Sequence, residues 1–463
     1  MPTIESIIEN VAKQVSPTKA EAIAQKTFAD KIVKKIRSKI KEKSVVVQFI
    51  GSTARDTGLR GDHDVDVFVC WPRSMKREQI VSNTFKATNS ALPGKWLKHY
   101  AEHPYLQREI EGVRVEVIPC FQMQPGESIQ SATDRSPLHM DYLQSRLTDQ
   151  QRRDVRVLKQ LLKNNGLYGA EAEIEGFSGL VCEQLILNFG SLKKLIEAAA
   201  QWRLPAIIDP EEQWKDKRML VEKFKDAAII LVDAVDQNRN AAAAISKTNA
   251  ARFVTLARAL AKSPSQGLFM LEEKPEPLAE LKEDIAKAIK DRNANYLLIE
   301  FRREPGLVDD ILFPQLKRTA LNIAKQLERH DFNNTNVSSF CVKDKCFVWL
   351  ELEAAQLQPT RKILGPPVHA QKDVTAFLKN HAKNIRGPFI ENERIVVEGK
   401  REIDKADKAL AKIMSKPVES GIASHLAKYV KSAKIYYNSE MLKLGEETIR
   451  KIGKEVFKRD YWL

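Results

Sequence analysis

Residues 45–70, VVVQFIGSTARDTGLRGDHDVDVFVC, decide the fold. The β-branched and aromatic run over 45–50 stops at Gly51-Ser52, which predicts a strand running into a turn. From Asp64 to Cys70 the residues alternate, with Val65, Val67 and Val69 on one face and Asp64, Asp66 and Phe68 on the other. That period of two sets the Asp64 and Asp66 carboxylates side by side, about 6.7 Å apart along the strand. Carboxylates this close repel each other, so something positive is expected between them, and such oxygen ligands suit Mg²⁺. The Gly51-Ser52 turn leaves backbone N–H groups uncovered by side chains, ready to meet a phosphate. The competing reading is a solvated strand face, with the glycine serving only the turn.

A second alternating run, VRVEVIP over 113–119, adds a third element. Val113, Val115 and Val117 point inward, and Arg114 and Glu116 share the opposite face. On a neighbouring strand, Glu116 would complete a cluster with Asp64 and Asp66. Three acidic side chains from two strands beside a Gly-Ser turn are what two-metal phosphoryl transfer needs. Upstream, residues 4–43 read as helix. Ile32, Val33, Ile36 and Ile40 recur at helical spacing, giving an amphipathic helix against the sheet with a solvated lysine face.

Downstream, SATDRSPLH (131–139) reads as a loop entering a helix, where a histidine is more often a structural hydrogen-bonder than a ligand contact. Residues 149–165 form an amphipathic helix with Val155, Leu158, Leu161 and Leu162 on one side. Arg152, Arg153, Arg156 and Lys159 lie mostly on the other. In GLYGAEAEIEGFSG, Tyr168 and Phe177 sit among glycines, suited either to stacking on a base or to plain turn packing. LVDAVDQNRNAAAAIS (231–246) places Arg239 just before what reads as an alanine-rich helix start. There the helix N-terminus would add to its pull on an anion.

From about residue 294 the order becomes strand, helix, two strands joined by KDK, helix, and the strand RIVVEGKRE. This is the βαββαβ order of ferredoxin-like or RNA-recognition domains. No RNP1-type aromatic motif is present, so base stacking on that sheet does not follow. From Asp404 onward the chain reads as helical and basic, with 14 Lys and Arg against 9 Asp and Glu over 401–463. Tyr429, Tyr436 and Tyr437 are interleaved with Lys428, Lys431 and Lys434. That pattern suits an RNA backbone, or a solvated face plus core.

At 463 residues the chain is long enough for two to four domains. Its 75 Lys and Arg exceed 61 Asp and Glu, a formal charge of +14 that favours polyanions. No apolar run approaches the ~20 residues of a membrane span, and the N-terminus is unlike a secretory signal, so a cytoplasmic protein is expected. The five scattered cysteines read as reduced thiols. Cys341 and Cys346 flank VKDK, where a metal would need two further ligands that the sequence does not offer.

The head motifs resemble those of polymerase-β-type nucleotidyltransferases, GS…DxD…E. Beyond them, GSTARDT, DHDVDVF, VEVIPC, TDRSPLH, LYGAE, GFSG, RNAAAAIS, EFRREPGLVDDILFPQLKR and GPPV…GPFIENERIVVEGKR recur in order to about residue 402. In that order they resemble the archaeal-type (class I) CCA-adding enzymes. The resemblance implies an α+β multidomain fold: a polymerase-β-like nucleotidyltransferase head over 1–145 and a helical central domain over 146–285. A ferredoxin/RRM-like tRNA-binding domain over 286–403 and a basic helical segment over 404–463 would follow. It implies that Asp64, Asp66 and Glu116 hold two Mg²⁺ ions and that Glu116 helps activate the attacking tRNA 3′-hydroxyl. Glu116 stands where Asp is usual, and its longer side chain still supplies oxygen ligands. Gly51, Ser52 and Arg55 would hold the triphosphate of ATP or CTP. His139, Lys159 and Tyr168 would contact nucleotide phosphates or sugar, and Arg239 would read the base. Lys428, Lys431 and Lys434 are the candidates for gripping tRNA that lacks all or part of its 3′ CCA. A homodimer is left open and no membrane contact is expected. The alternatives are a non-catalytic tRNA-binding protein and a related RNA nucleotidyltransferase such as a poly(A) polymerase.

Overall fold

The computed structural model describes residues 2–62, 64–100, 104–124, 127, 129, 131–270 and 276–463. The N-terminal helical stretch is two helices, not one. Ser16-Pro17 ends α1 (Ile4–Val15), because the residue before a proline is pushed out of the helical region. Thr18 and Glu21 then restart the chain as α2 (Lys19–Arg37) through reciprocal capping bonds.

Ala29, Ile32 and Ile36 of α2 and the nearby Ile40 cover one face of a five-stranded sheet. Its strands are β1 (Val46–Ile50), β2 (Asp64–Trp71), β3 (Leu97–Tyr100), β4 (Pro104–Ile110) and β5 (Val113–Phe121), in the order β1-β2-β5-β4-β3. The alternating valines Val65, Val67, Val69, Val115 and Val117 meet α2 and α3 (Arg77–Ala91) in that core, as the period of two requires. Strands β2 and β5 run parallel, and the other pairs run antiparallel.

The chain continues through α4 (Arg135–Arg146), α5 (Asp149–Asn164), α6 (Gly179–Phe189) and α7 (Leu192–Ala199). A three-stranded sheet of β6 (Ala206–Ile208), β7 (Ile229–Asp233) and β8 (Asp236–Asn240) follows, with α8 (Lys217–Lys223) between its first two strands and α9 (Lys247–Lys262) after it. A large apolar cluster unites α1, α5, α6, α7 and α9. The four residues from Ala241 make turns, and α9 starts only at Lys247, capped by the Ser246 hydroxyl. Arg239 therefore lies inside β8 and not before a helix start.

Two compact units divide the chain, residues 1–274 with 460–463, and residues 275–459. The limits expected at 145/146 and 403/404 fall inside these units. The second unit begins with α10 (Leu278–Asp291), β9 (Asn295–Arg302), α11 (Asp309–Arg329), β10 (Asn334–Val342) and β11 (Lys345–Leu352). Here the strand RIVVEGK does not complete the four-stranded sheet as the sequence suggested. It is β14 (Arg394–Lys400), the central strand of a separate sheet between β12 (Thr360–Pro367) and β13 (Arg386–Glu391), with α12 (Gln371–Asn380) beside it. The prolines explain the placement. Pro366, Pro367 and Pro388 cannot donate to a ladder and sit on the two edge strands.

The fourth strand of the larger sheet comes from the segment expected to be all helical. After α13 (Ala406–Ser415) and α14 (Ser424–Val430), β15 (Lys434–Tyr437) pairs antiparallel with β9, giving the order β10-β11-β9-β15. The ferredoxin-like order survives with 360–400 inserted and a later closing strand. Helix α15 (Glu446–Phe457) follows. Among the described residues, no helix is long and apolar enough to cross a membrane. The protein is thus a mixed α+β chain, a five-stranded sheet with helices followed by further helical and sheet layers.

Candidate active site

Register does the first work. Asp66 on β2 stands directly opposite Glu116 on β5, and Asp64 stands opposite Arg114. Asp64 is paired with the residue opposite it, Arg114, whose Nη2 donates to Asp64 Oδ2 at 2.5 Å. Glu116 accepts from Gln107 Nε2 at 2.8 Å across β4. Across the other edge, Asp66 stands opposite Ile50, and Gly51 turns over it. Gly51 holds φ +100°, and a Cβ there would fall on Asp66 Oδ2, so glycine is required twice over at this position.

Asp66 is half-buried beneath the Gly51 turn, and this sets its chemistry. Burial, with the charges of Glu116 and Asp64 added, pushes its carboxyl up to about 7. Among the described residues, no group of three His, Cys, Asp or Glu side chains closes on a single point as ligands. Asp64 is instead turned onto Arg114. The donor set still fits a hard divalent cation: three acids on one strand-pair face, the Asp66 carboxyl raised by burial and by the charges of Glu116 and Asp64. Asp64, Asp66 and Glu116 would hold it once Asp64 leaves Arg114.

A thermodynamic consequence follows. An unfolded aspartate titrates near 3.8, so the raised folded value stabilises the metal-free protein below about pH 4 and is lost as pH rises through about 7. A Mg²⁺ ion held there would compete with the proton, so the rise in melting temperature it gives is expected to be larger at about pH 8 than at about pH 5.5. Melting curves with and without Mg²⁺ at the two pH values check this. An equal shift at both would mean that the cation does not engage Asp66.

The residues expected to meet nucleotide fall into two buried clusters. In the first, Arg55 does not reach out as a triphosphate ligand. Its Nε and Nη2 donate to Glu183 Oε1 and Oε2 of α6 at 3.1 and 2.8 Å, with Arg55 only 7% exposed. Thr57 Oγ1 donates to the same carboxylate. Lys159, expected on the polar side of its helix, is 2% exposed and donates to Thr57 O at 2.9 Å. Burial pushes the Lys159 ammonium down, and the Glu183 charge opposes it. Burial would raise Glu183, yet the charges and hydrogen bonds of Arg55, Lys159 and Thr57 hold it below the usual carboxylate range. Arg156, on the same polar side, donates to Gly58 O at 3.0 Å and to the Asp56 backbone and carboxylate. The polar side of α5 is therefore a dock for loop 51–58. Ser52 fastens the loop, its carbonyl accepting from Thr57 N at 2.9 Å. Gly179 begins α6, and a Cβ there would come within 3.3 Å of Tyr168 Oη and 3.5 Å of Lys159 Nζ. Burial also pushes the Tyr168 phenol up.

The second cluster gathers on Asp233, at the end of β7. His139 Nε2 lies 2.7 Å from Asp233 Oδ1, and Arg239 pairs with Oδ2 from β8. Asp233 is fully buried. Burial alone would raise its carboxyl, but the His139 hydrogen bond and the charges of His139 and Arg239 hold it at about 2. Arg239 keeps 35% of its side chain exposed, so its guanidinium has one edge tied and another available.

Glu183 and Asp233 were not singled out from the sequence. The signal was present for Glu183, the one charged residue within the mostly apolar GLVCEQLILNF of α6. The three lysines of the C-terminal segment are exposed in the second unit, with Lys428 on Glu304 at 3.1 Å. Tyr429 and Tyr437 pack against the core under β9 and β11, and Tyr436 against the core on the other side. These tyrosines are packing residues, beside three exposed lysines.

Residues 29–139 match the family model described as a nucleotidyltransferase domain, and 153–270 match that for the second domain of tRNA nucleotidyltransferases. Residues 292–438 match the C-terminal domain of CCA-adding enzymes. A CCA-adding enzyme of Haloarcula marismortui is 34% identical over 422 residues, covering 87% of this chain and 88% of that protein. The chain belongs to the CCA-adding enzyme family. Members from Methanocaldococcus jannaschii and Methanoregula boonei are 34% and 36% identical, covering 82% and 77% of this chain and 85% and 76% of theirs. Family membership makes the protein an enzyme, a nucleotidyltransferase of CCA addition to tRNA, as the resemblance implied. A structure of the Cid1 poly(U) polymerase aligns with a TM-score of 0.45 and 12% identity, covering 57% of this chain and 96% of that one. That likeness carries no argument about substrate.

Proposed function

We propose that the protein builds the 3′-terminal C, C and A of tRNA from CTP and ATP, without a nucleic-acid template, on the carboxylate face of β2 and β5. The observation that carries the chemistry is the register of Asp66 against Glu116 beneath the Gly51 turn. The tRNA 3′-hydroxyl oxygen attacks the α-phosphorus, the bond to the bridging oxygen of the β-phosphate breaks, and pyrophosphate leaves. Glu116, oriented by Gln107, takes the hydroxyl proton. When bound, a Mg²⁺ pair supplies a lowered pKa for that hydroxyl and neutralises the triphosphate. The backbone of loop 51–57 meets the phosphates, and α5 and α6 hold that loop rigid through Arg156, Lys159 and Glu183. Counting pyrophosphate against nucleotide incorporated tests the step. One per addition is expected, and incorporation without pyrophosphate release would contradict it.

Base choice falls to Arg239, whose planar guanidinium donates paired hydrogen bonds and is aimed by Asp233. Arg239→Ala is expected to reduce the preference for CTP and ATP over UTP and GTP by about 10- to 100-fold, the scale of a hydrogen bond to a charged group. Triphosphate affinity should change less. Competition assays with all four nucleotides read both. Equal loss for all four with selectivity intact would make Arg239 a phosphate or structural residue.

The grip on tRNA is assigned to Lys428, Lys431 and Lys434. Changing all three to Glu should weaken tRNA binding strongly. The slope of log K against log salt should fall by about 0.7 to 0.9 for each phosphate that is no longer neutralised. Addition to an acceptor-stem mini-helix should suffer less. An unchanged affinity and salt slope would place the grip elsewhere.

A further inference from the structure

The protein carries two pairs of facing thiols, and their surroundings differ. Cys70 and Cys120 stand opposite each other on β2 and β5 with Sγ atoms 3.1 Å apart. Both are sealed in the small apolar cluster with Ile50, Phe68 and Ile118, and burial pushes the Cys120 thiol well up. The second pair lies on the hairpin of β10 and β11, far from those strands in sequence. None of the five cysteines is in a disulfide.

The hairpin turn fixes the geometry of the second pair. Lys343 and Asp344 are its only two loop residues, and Val342 stands opposite Lys345. In a two-residue hairpin the closing pair exchanges hydrogen bonds, so the next pair, Cys341 and Cys346, is a non-hydrogen-bonded one. Such pairs hold their Cα atoms about 4.5 Å apart, inside the range in which a disulfide closes without moving the backbone. The side chains agree. Cys341 Sγ donates to Cys346 Sγ at 3.2 Å. Cys341 is partly exposed, while Cys346 is fully buried behind it. The residue after β9 clamps the turn, with Arg303 N donating to Asp344 O at 2.8 Å. The Cys341 hydrogen bond, with the Arg303 charge adding to it, outweighs burial and lowers the Cys346 thiol.

We propose that Cys341 and Cys346 form a reversible dithiol–disulfide site that exchanges with small-molecule disulfides of the glutathione class. Entry is at Cys341. Its sulfur attacks the small disulfide, that S–S bond breaks, and one small thiol leaves with the proton. The Cys346 sulfur then displaces the second small thiol and closes the protein disulfide. Two protein thiols lose two hydrogens, and the reagent becomes two thiols.

The test uses the full chain equilibrated with mixtures of reduced and oxidised glutathione, then alkylated, cleaved after lysine and read by mass spectrometry. Cleavage at Lys343 or Lys345 separates the two cysteines, so the disulfide appears as a cross-linked peptide pair. We expect loss of two of the five alkylatable thiols, confined to Cys341 and Cys346 and restored by dithiothreitol. Cys346→Ser should trap a glutathione adduct on Cys341. Should that variant fail to fold, a trivalent arsenical offered to the wild-type chain reads the same dithiol, with one bound per folded molecule. A wild type that accumulates a Cys341 adduct without the cross-link, takes up no arsenical, or cross-links Cys70 to Cys120 at the same glutathione ratio would overturn the proposal.

Discussion

Asp66→Asn is expected to abolish nucleotide addition, with a loss of at least about a thousandfold, because it removes the central anionic oxygen from a site that stabilises charge in the transition state. The same change should make the metal-free protein more stable at about pH 8. At that pH wild-type Asp66 must be ionised although burial and two like charges hold its carboxyl up to about 7. On the order of 4 kcal/mol separates the two protonation states. An amide carries no such penalty. Activity lost while melting temperature rises is therefore the expected signature, with tRNA affinity near wild type. It separates loss of a ligand from loss of the fold. If Asp66→Asn keeps more than a small fraction of its rate in Mg²⁺, the assignment of the carboxylate face is wrong.

The second large effect belongs to Glu183. Replacing it with Ala leaves Arg55 and Lys159 buried without their shared anion, and breaking a buried pair from one side costs about 3–5 kcal/mol. Thermal or denaturant unfolding should show that loss. A merely structural role would stop there. A positioning role predicts more: loop 51–57 loses its anchor through Arg55 and Thr57, so KM for both nucleotides should rise with a smaller change in kcat. Bound triphosphate should also return much of the lost stability, since its phosphates replace the missing negative charge beside the two cations. Full destabilisation with unchanged KM in the surviving folded protein would confine Glu183 to structure.

The head was legible because period-two alternation is local. VDVFV and VRVEV each state which side chains share a face, and a carboxylate pair on one face foretells a cation between them. The same run supplies Arg114, which pairs with Asp64. Pairing across strands and helices was less visible. The sequence placed Lys159 and Arg156 on a polar helix side, which is correct for spacing. Whether such a side meets water or a loop depends on what docks there, and loop 51–58 is about a hundred residues away. The pairing of Arg55 was hidden in the same way, since its partner Glu183 lies 128 residues further along. In the second unit the strand RIVVEGK was recognised but assigned to the wrong sheet. KIYY, only four residues long among lysines and flanked by helices, gave no period to read, and it supplies the closing strand. Arg239 was found, but a run of alanines was taken for a helix where the chain makes successive turns.

The central claim is that the carboxylate face under Gly51 adds a defined triplet and stops. The most direct measurement is sequencing of the 3′ ends of tRNA lacking CCA after incubation with the protein, Mg²⁺, CTP and ATP. The account predicts ends that read C, C, A with no further residues, growth halting after the second C when ATP is withheld, and none of this with Asp66→Asn. Homopolymeric tails, addition of A before C, or unextended tRNA with the wild-type chain would contradict it.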